Sequence, residues 1–184
     1  MNRVAVVGSS GAGTSTLAQA IADALDVPLI ELDAVMHDPN GIPRPTPEFR
    51  SNVMSAITDA EGDHSPAGWV IPGNHRTVSD IVQRRADTVV WIDLPRAMTA
   101  WRSFTRSLRR SLTRQRQWGG DRERLRDLFS RHPDRNVVLW SWQHHDQYTQ
   151  LYESYSAGEF WSHATVHRLR TRREADAFVD SLSA

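Results

Sequence analysis

Short apolar runs and amphipathic stretches alternate along this chain. Arg3-Val4-Ala5-Val6-Val7 is a continuous β-branched run, the pattern of a strand covered on both faces. From Thr14 to Leu25 the apolar positions Leu17, Ala20, Ile21, Ala24 and Leu25 recur at three- and four-residue intervals, which predicts a helix. Val27 to Glu31 predicts a second strand ending at Leu32-Asp33. A proline- and glycine-rich loop follows from Asp38 to Pro47, then a helix from about Glu48 to Ala60 and a polar loop from Glu61 to Gly68. Trp69-Val70-Ile71 predicts a third strand, stopped by Pro72-Gly73. Thr88 to Asp93 predicts a fourth, followed by Leu94-Pro95 and a helix to about Thr113. Gln115 to Asp121, with Gly119-Gly120, reads as flexible, and two helices are expected at about 121–131 and 136–157, broken at His132-Pro133. Thr165 to Leu169 predicts the fifth strand and Arg172 to Leu182 a closing helix. Alternating elements of this kind imply an α/β fold, a five-stranded parallel sheet with helices on both faces.

Composition narrows the picture. The 184 residues suffice for one domain, 1–184, with its own core and a lid-like segment at about 102–123. The net charge is zero, so bulk attraction to nucleic acid or to a membrane surface is not expected. The first strand begins at Arg3 and breaks at Gly8, unlike a secretory leader, and no apolar run approaches a membrane span. With no cysteine, disulfides, thiolate metal sites and a cysteine nucleophile are excluded, and a cytoplasmic location is expected. Oligomeric state is not legible.

The chemistry concentrates between the first strand and the first helix. Gly8-Ser9-Ser10-Gly11-Ala12-Gly13-Thr14-Ser15 follows the phosphate-binding pattern G-x-x-x-x-G-K-S/T, with threonine where the lysine belongs. The whole chain contains no lysine; its 22 basic residues are all arginine. The rest of the loop retains what an anion needs. Gly8, Gly11 and Gly13 allow positive φ and a close approach of backbone to ligand. Successive N–H groups from Ser9 through Ala12, and the helix start at Thr14, Ser15 and Thr16, supply partial positive charge. The hydroxyls of Ser15 and Thr16 suit Mg²⁺ and an α-phosphate.

Several stretches together make the chain resemble the adenylate-kinase-like P-loop proteins often labelled topology-modulation or FlaR-type, within the nucleoside and nucleotide kinase group. They are Arg3–Leu17, Glu31-Leu32-Asp33, Pro39-Asn40, Gly73-Asn74, Arg85–Pro95, Trp118–Glu123 and Leu139-Trp140. The resemblance covers nearly the whole chain. It implies a P-loop NTPase fold in which strand 3 lies beside strand 1 and strand 2 is outermost, with phosphates over the carboxyl ends of the strands. It also implies ATP or another nucleotide with Mg²⁺, and a small-molecule phosphate acceptor or phosphorylated ligand. Two departures fall on catalytic positions. The family carries lysine at Thr14 and an acid at Pro72, the latter holding Mg²⁺ through water in related kinases. Losing both removes charge stabilisation from phosphoryl transfer.

Arginine can compensate. Seven arginines and no acid lie between Pro95 and Gly120. On the helix after strand 4, Trp101, Phe104, Leu108 and Leu112 form one face and Arg102, Arg106, Arg109 and Arg110 another, with Arg114 and Arg116 following. The resemblance places this region at a lid closing over phosphates, for which the planar arginine fork is well suited. Arg106, Arg110, Arg114 and Arg122 are the candidates; a solvated basic face is the alternative. One basic stripe on a neutral chain is a weak footprint for nucleic acid.

Asp33 follows strand 2, where related kinases bind the acceptor or Mg²⁺. His37 and His75 lie in the loops after strands 2 and 3 and depart from the family's aromatic residues there. The three residues could converge as an acid–base or metal site. Asp93 reads as a cap, Trp69, Trp91, Trp140 and Trp142 as core, and His144-His145-Asp146 as a solvated helical face. Arg168, Arg170, Arg172 and Arg173 flank the last strand, near an adenine ring by the resemblance or on the surface. Three functions stay open: an ATP-dependent phosphotransferase with arginines replacing the lysine, a repurposed fold acting on an anionic ligand through Asp33, His37 or His75, and a pseudokinase-type switch.

Overall fold

The computed structural model describes residues 1–62, 67–113 and 137–182. β1 (Arg3–Gly8) runs between β2 (Trp69–Pro72) and β3 (Thr88–Ile92), and β4 (Thr165–Leu169) lies beyond β3, giving a parallel sheet ordered β2-β1-β3-β4. Seven helices are described: α1 (Thr14–Leu25), α2 (Leu32–Met36), α3 (Thr46–Gly62), α4 (Ser79–Arg85), α5 (Arg96–Thr113), α6 (Val137–Ala157) and α7 (Arg172–Asp180).

The two-residue repeat of β1 divides the core. Ala5 and Val7 point to the layer of α3 and α4, meeting Phe49, Val53, Ile57 and Val82, with Tyr152 of α6 and Trp161 beyond. Val4 and Val6 point to the other face, where Leu17, Ala18 and Ile21 of α1 cover them, and Phe178 and Val179 of α7 pack against the same cluster. Because both faces are covered, every β1 residue from Val4 to Gly8 is buried, which is why the strand reads as one apolar run. Trp69 and Trp91 lie in this core as expected, whereas Trp142 is exposed beneath the Arg96 guanidinium, 4.4 Å from its ring centre.

Where five strands were expected, the sheet has four among the described residues. The segment expected as strand 2 makes only an isolated bridge, Leu29 to Val70, on the open edge of β2. Ile30 N–H donates to the Val70 carbonyl at 2.9 Å and Val70 N–H to the Pro28 carbonyl at 2.9 Å. Pro28 has no N–H to extend the ladder, and the chain turns into α2 at Leu32, so pairing stops there. The position beside β2 nevertheless matches the expected outermost place.

α4 lies in a stretch for which no element was expected. α5 runs as predicted, but its buried face is not the apolar one. Thr99, Ala100, Ser103 and Ser107 are buried, while Trp101 is 64% exposed and stacks on Phe104 at 5.8 Å. α5 packs so closely on the glycine loop and on α6 that only small side chains fit between. Among the described residues no helix is long and apolar enough to cross a membrane.

Candidate active site

β1 delivers the glycine loop to the carboxyl edge of the sheet. Gly8 pairs with Ile92, and a Cβ on it would come within 2.9 Å of the Ile92 carbonyl. Gly11 and Gly13 adopt φ of 84° and 96°, the left-handed region that glycine enters without strain. Ala12 N–H closes the turn on the Ser9 carbonyl at 3.0 Å. Gly13 is the N-cap of α1 and has no side chain to cap with, so the first N–H donors of the helix are left for a ligand.

The loop forms one wall of a cleft of about 1090 Å³. Gly8, Ser9, Gly11, Gly13, Thr14, Ser15 and Thr16, all singled out in the sequence, line it. Ala12 is buried behind the wall and contributes its carbonyl instead. Pro72 also lines the cleft, facing this space with an apolar ring. The carboxylates that line it are those of Glu31 and Asp33.

Asp33 and His75 meet across the cleft. His75 Nε2 lies 2.8 Å from Asp33 Oδ1, and the Phe49 ring meets the imidazole edge-on at 5.7 Å, which fixes the ring's tilt. α2 carries Asp33 in its first turn; Gly73, at φ 115°, turns the chain after β2 so that Asn74 and His75 face the loop. His37 does not join them. From the end of α2 its Nδ1 lies 2.8 Å from the Asp33 backbone carbonyl, and the residue does not line the cleft, so the three-membered constellation reduces to two. Among the described residues no group of three or more His, Cys, Asp or Glu is placed to hold a metal ion.

The third wall is α5. Arg102, Arg106 and Arg109 line the cleft from successive turns. Arg102 Nη1 donates to the Ala12 carbonyl at 3.0 Å, and its guanidinium atoms lie 3.5–3.7 Å from the position of a Gly13 Cβ. Of the arginines singled out in the sequence, Arg106 is therefore placed on the cleft. The side chain of Arg110, and Arg114 and Arg122 altogether, lie outside the described residues.

Sequence reasoning put Arg102 on the basic face without choosing it, and did not nominate Glu31, Asn74 or Tyr148 as site residues. The Asn74 amide straddles Gly8, its Oδ1 accepting from Gly8 N–H at 3.4 Å and its Nδ2 donating to the Gly8 carbonyl, so it fixes where the loop starts. Tyr148 of α6 lines the cleft from above; burial pushes its phenol upward in pKa, opposed by Arg76, so it is a neutral hydroxyl at physiological pH.

Other candidates belong to the scaffold. Asp93 binds Arg168 at 2.8 and 2.7 Å, and Arg168 also reaches Glu153 at 3.0 Å while lying over the Trp91 ring at 4.0 Å. His145, expected on a solvated face, is buried: its Nε2 lies 3.0 Å from the Leu94 carbonyl and anchors α6 to the end of β3.

No protein-family profile matches the chain, and no curated protein matches its sequence. Solved structures similar to it include a shikimate kinase from Bacteroides thetaiotaomicron, at 17% identity over 98% of this chain and 95% of that one, with a TM-score of 0.50. A sugar kinase from Janibacter sp. HTCC2649 aligns at 18% identity over 98% and 91%, TM-score 0.51. The shikimate kinase from Acinetobacter baumannii in complex with shikimate aligns at 12% over 99% and 90%, TM-score 0.52. At such identities the likeness shows the fold alone, which this chain shares with those structures.

Proposed function

We propose that this chain is an ATP-dependent phosphotransferase acting on a hydroxyl of a small acceptor, with arginines in place of the P-loop lysine. The observation that carries this function is the shared cleft: a glycine cradle for phosphates and an Asp33–His75 pair open onto the same space. The similarly folded shikimate and sugar kinases and the resemblance to topology-modulation proteins point the same way. A cytoplasmic location is part of this proposal.

The residues present fit a nucleoside triphosphate. Positive-φ glycines clear the backbone for close approach, and the uncapped start of α1 offers N–H donors. Arg102, Arg106 and Arg109 bring delocalised positive charge to the opposite wall. Ser15 is the residue that would hold Mg²⁺, whose contribution when bound is neutralisation of phosphate charge. Pro72 supplies no carboxylate to that ion, which places more of the charge stabilisation on the arginines. Asp33 orients the His75 imidazole, and the pair accepts the proton of an acceptor hydroxyl as it attacks the terminal phosphorus; the phosphoryl group passes to the acceptor oxygen and ADP leaves.

The test is turnover. ATP consumption should rise when a competent hydroxylated acceptor is supplied. Asp33→Asn and His75→Gln should each lower that acceptor-dependent rate by about 10²-fold, the scale of a lost general base, while affinity for a non-hydrolysable ATP analogue stays within about twofold. ATP consumption indifferent to every acceptor and to both substitutions would sink the assignment.

One observation favours a second function. Thr14 and Pro72 both lack the expected charge, while Asp33 and His75 form a complete acid–base pair at 2.8 Å. A repurposed cleft would bind a phosphate ester without Mg²⁺ and turn it over without ATP. Activity that persists in ATP-free buffer and disappears in His75→Ala would select it.

A further inference from the structure

We infer that Arg102 carries the phosphate-binding charge that a lysine at position 14 would supply, delivered from α5 to the β- and γ-phosphates rather than from the loop itself. It rests on the nucleotide-binding function proposed above.

Three features of the structure support it. The first is contact. Arg106 and Arg109 line the same cleft further along α5, but Arg102 touches the loop, through the Ala12 carbonyl at 3.0 Å and alongside Gly13, the residue just before Thr14. A guanidinium has five N–H donors in a rigid fork, so the bond to Ala12 leaves most of them for phosphate oxygens.

The second is preorganisation. A charge stabilises a phosphate most when it is already in place, because no ordering remains to be done on binding. Arg102 is half-buried, and α5 packs directly on the loop: a Cβ on Gly11 would overlap the Thr99 carbonyl and the Ser103 hydroxyl. Loop and helix are thus one packed unit, and Arg102 is part of the cradle's wall.

The third is chemical complementarity with the substitutions in the loop. Thr14 lines the cleft but brings no charge, and the chain has no lysine to bring from elsewhere. A lysine at 14 beside a guanidinium packed on Gly13 would set two cations at one end of the cradle, which is unfavourable until a polyanion arrives. One cation at this end suffices, and the chain places it on α5.

Arg102 and a lysine at 14 are then alternatives for one task, and their effects must be strongly non-additive. Titration calorimetry with a non-hydrolysable ATP analogue and Mg²⁺, and separately with AMP, would be run on the full chain as wild type, Arg102→Gln, Thr14→Lys and the double variant. Glutamine keeps an N–H donor for the Ala12 carbonyl while removing the charge, so the melting temperature of the ligand-free variant reports whether the fold is intact, and Arg102→Lys serves if glutamine unfolds it. Arg102→Gln should weaken the ATP analogue by about tenfold or more and AMP by less than about twofold, because the lost contact is to the outer phosphates. Arg102→Lys, a point charge without the fork, should fall between. Thr14→Lys should gain less than about threefold alone but recover most of the loss in the Arg102→Gln background. Equal binding of the ATP analogue by wild type and Arg102→Gln overturns the inference, as does an equal loss of AMP affinity, which would place Arg102 at the base or in the fold. Equal gains from Thr14→Lys in both backgrounds overturn it too. A wild type that binds no nucleotide overturns the phosphotransferase function itself, a separate outcome from these.

Discussion

Asp87 ties the start of β1 to the start of β3. Its Oδ2 accepts from Asn2 N–H and Arg3 N–H, both at 3.1 Å, and its Oδ1 from the Thr88 hydroxyl at 2.8 Å. Burial opposes the charge, but these donors outweigh it and hold the carboxyl below its ordinary value of 3.8. A carboxylate whose folded pKa is depressed stabilises the fold above the unfolded value, and that contribution is lost as the pH falls through the folded value. Asp87→Asn should therefore cost about 1 kcal/mol at pH 7, the scale of a hydrogen-bond set of this exposure. In urea melts the gap between variant and wild type should close as the pH drops below 3.8. A gap that stays constant to the lowest accessible pH would show that the charge of Asp87 plays no part. At the same scale, the loop was legible in the sequence because its geometry is local: glycine spacing and the following helix start depend on adjacent residues. The choice of His75 over His37 was not, since it depends on where Gly73 turns the chain and on the His37 ring being held at the Asp33 backbone carbonyl.

The junction between the glycine loop and α5 is the element-scale feature on which the site depends. Gly11 has φ of 84°, and any side chain there would collide with Thr99 and Ser103. Gly11→Ala should lower stability by about 2 kcal/mol or more, from backbone strain and forced displacement of α5 together. It should weaken nucleotide binding further than the lost stability explains, because Arg102 moves with the helix. Ser103 offers the converse test. Its hydroxyl is buried and, among the described residues, has no hydrogen-bond partner, so Ser103→Ala should leave stability unchanged or raise it by up to about 1 kcal/mol. A large loss in Ser103→Ala would mean that the hydroxyl has a partner on binding or in solution, and the junction would need redrawing. α5 also shows why periodicity misjudged a face. Trp101, Phe104 and Leu108 are the apolar positions, yet the helix buries Thr99, Ser103 and Ser107 because its neighbour is a glycine loop. Hydropathy records what a residue prefers, not how close the partner backbone comes. For the same reason the sequence supplied seven arginines between Pro95 and Gly120 but no means of ranking them, since the rotation of α5 against the loop selects Arg102.

Across the whole molecule, the order of alternating elements was readable because doubly covered parallel strands leave continuous apolar runs, as β1, β2 and β3 do. The outermost strand was over-read: Pro28 and the early start of α2 limit it to one bridge. What the sheet achieves is convergence. Its carboxyl edge brings together a loop after β1, the start of α2 with Asp33, the Asn74-His75 turn after β2 and the helix after β3, four segments of the chain, around one cleft of about 1090 Å³. Glycine cradle, acid–base pair and arginine wall then face each other across it, which no single segment could arrange. The claim that this cleft binds a nucleoside triphosphate is tested most directly by the melting temperature of the full chain in millimolar nucleotide with Mg²⁺. Ligand at about a hundred times its dissociation constant stabilises a fold by about 2.7 kcal/mol. For a domain of this size that is a rise of about 5–10 °C, expected with Mg-ATP and smaller with AMP. No shift with any nucleoside triphosphate, in a protein whose ligand-free transition is cooperative, would contradict the account.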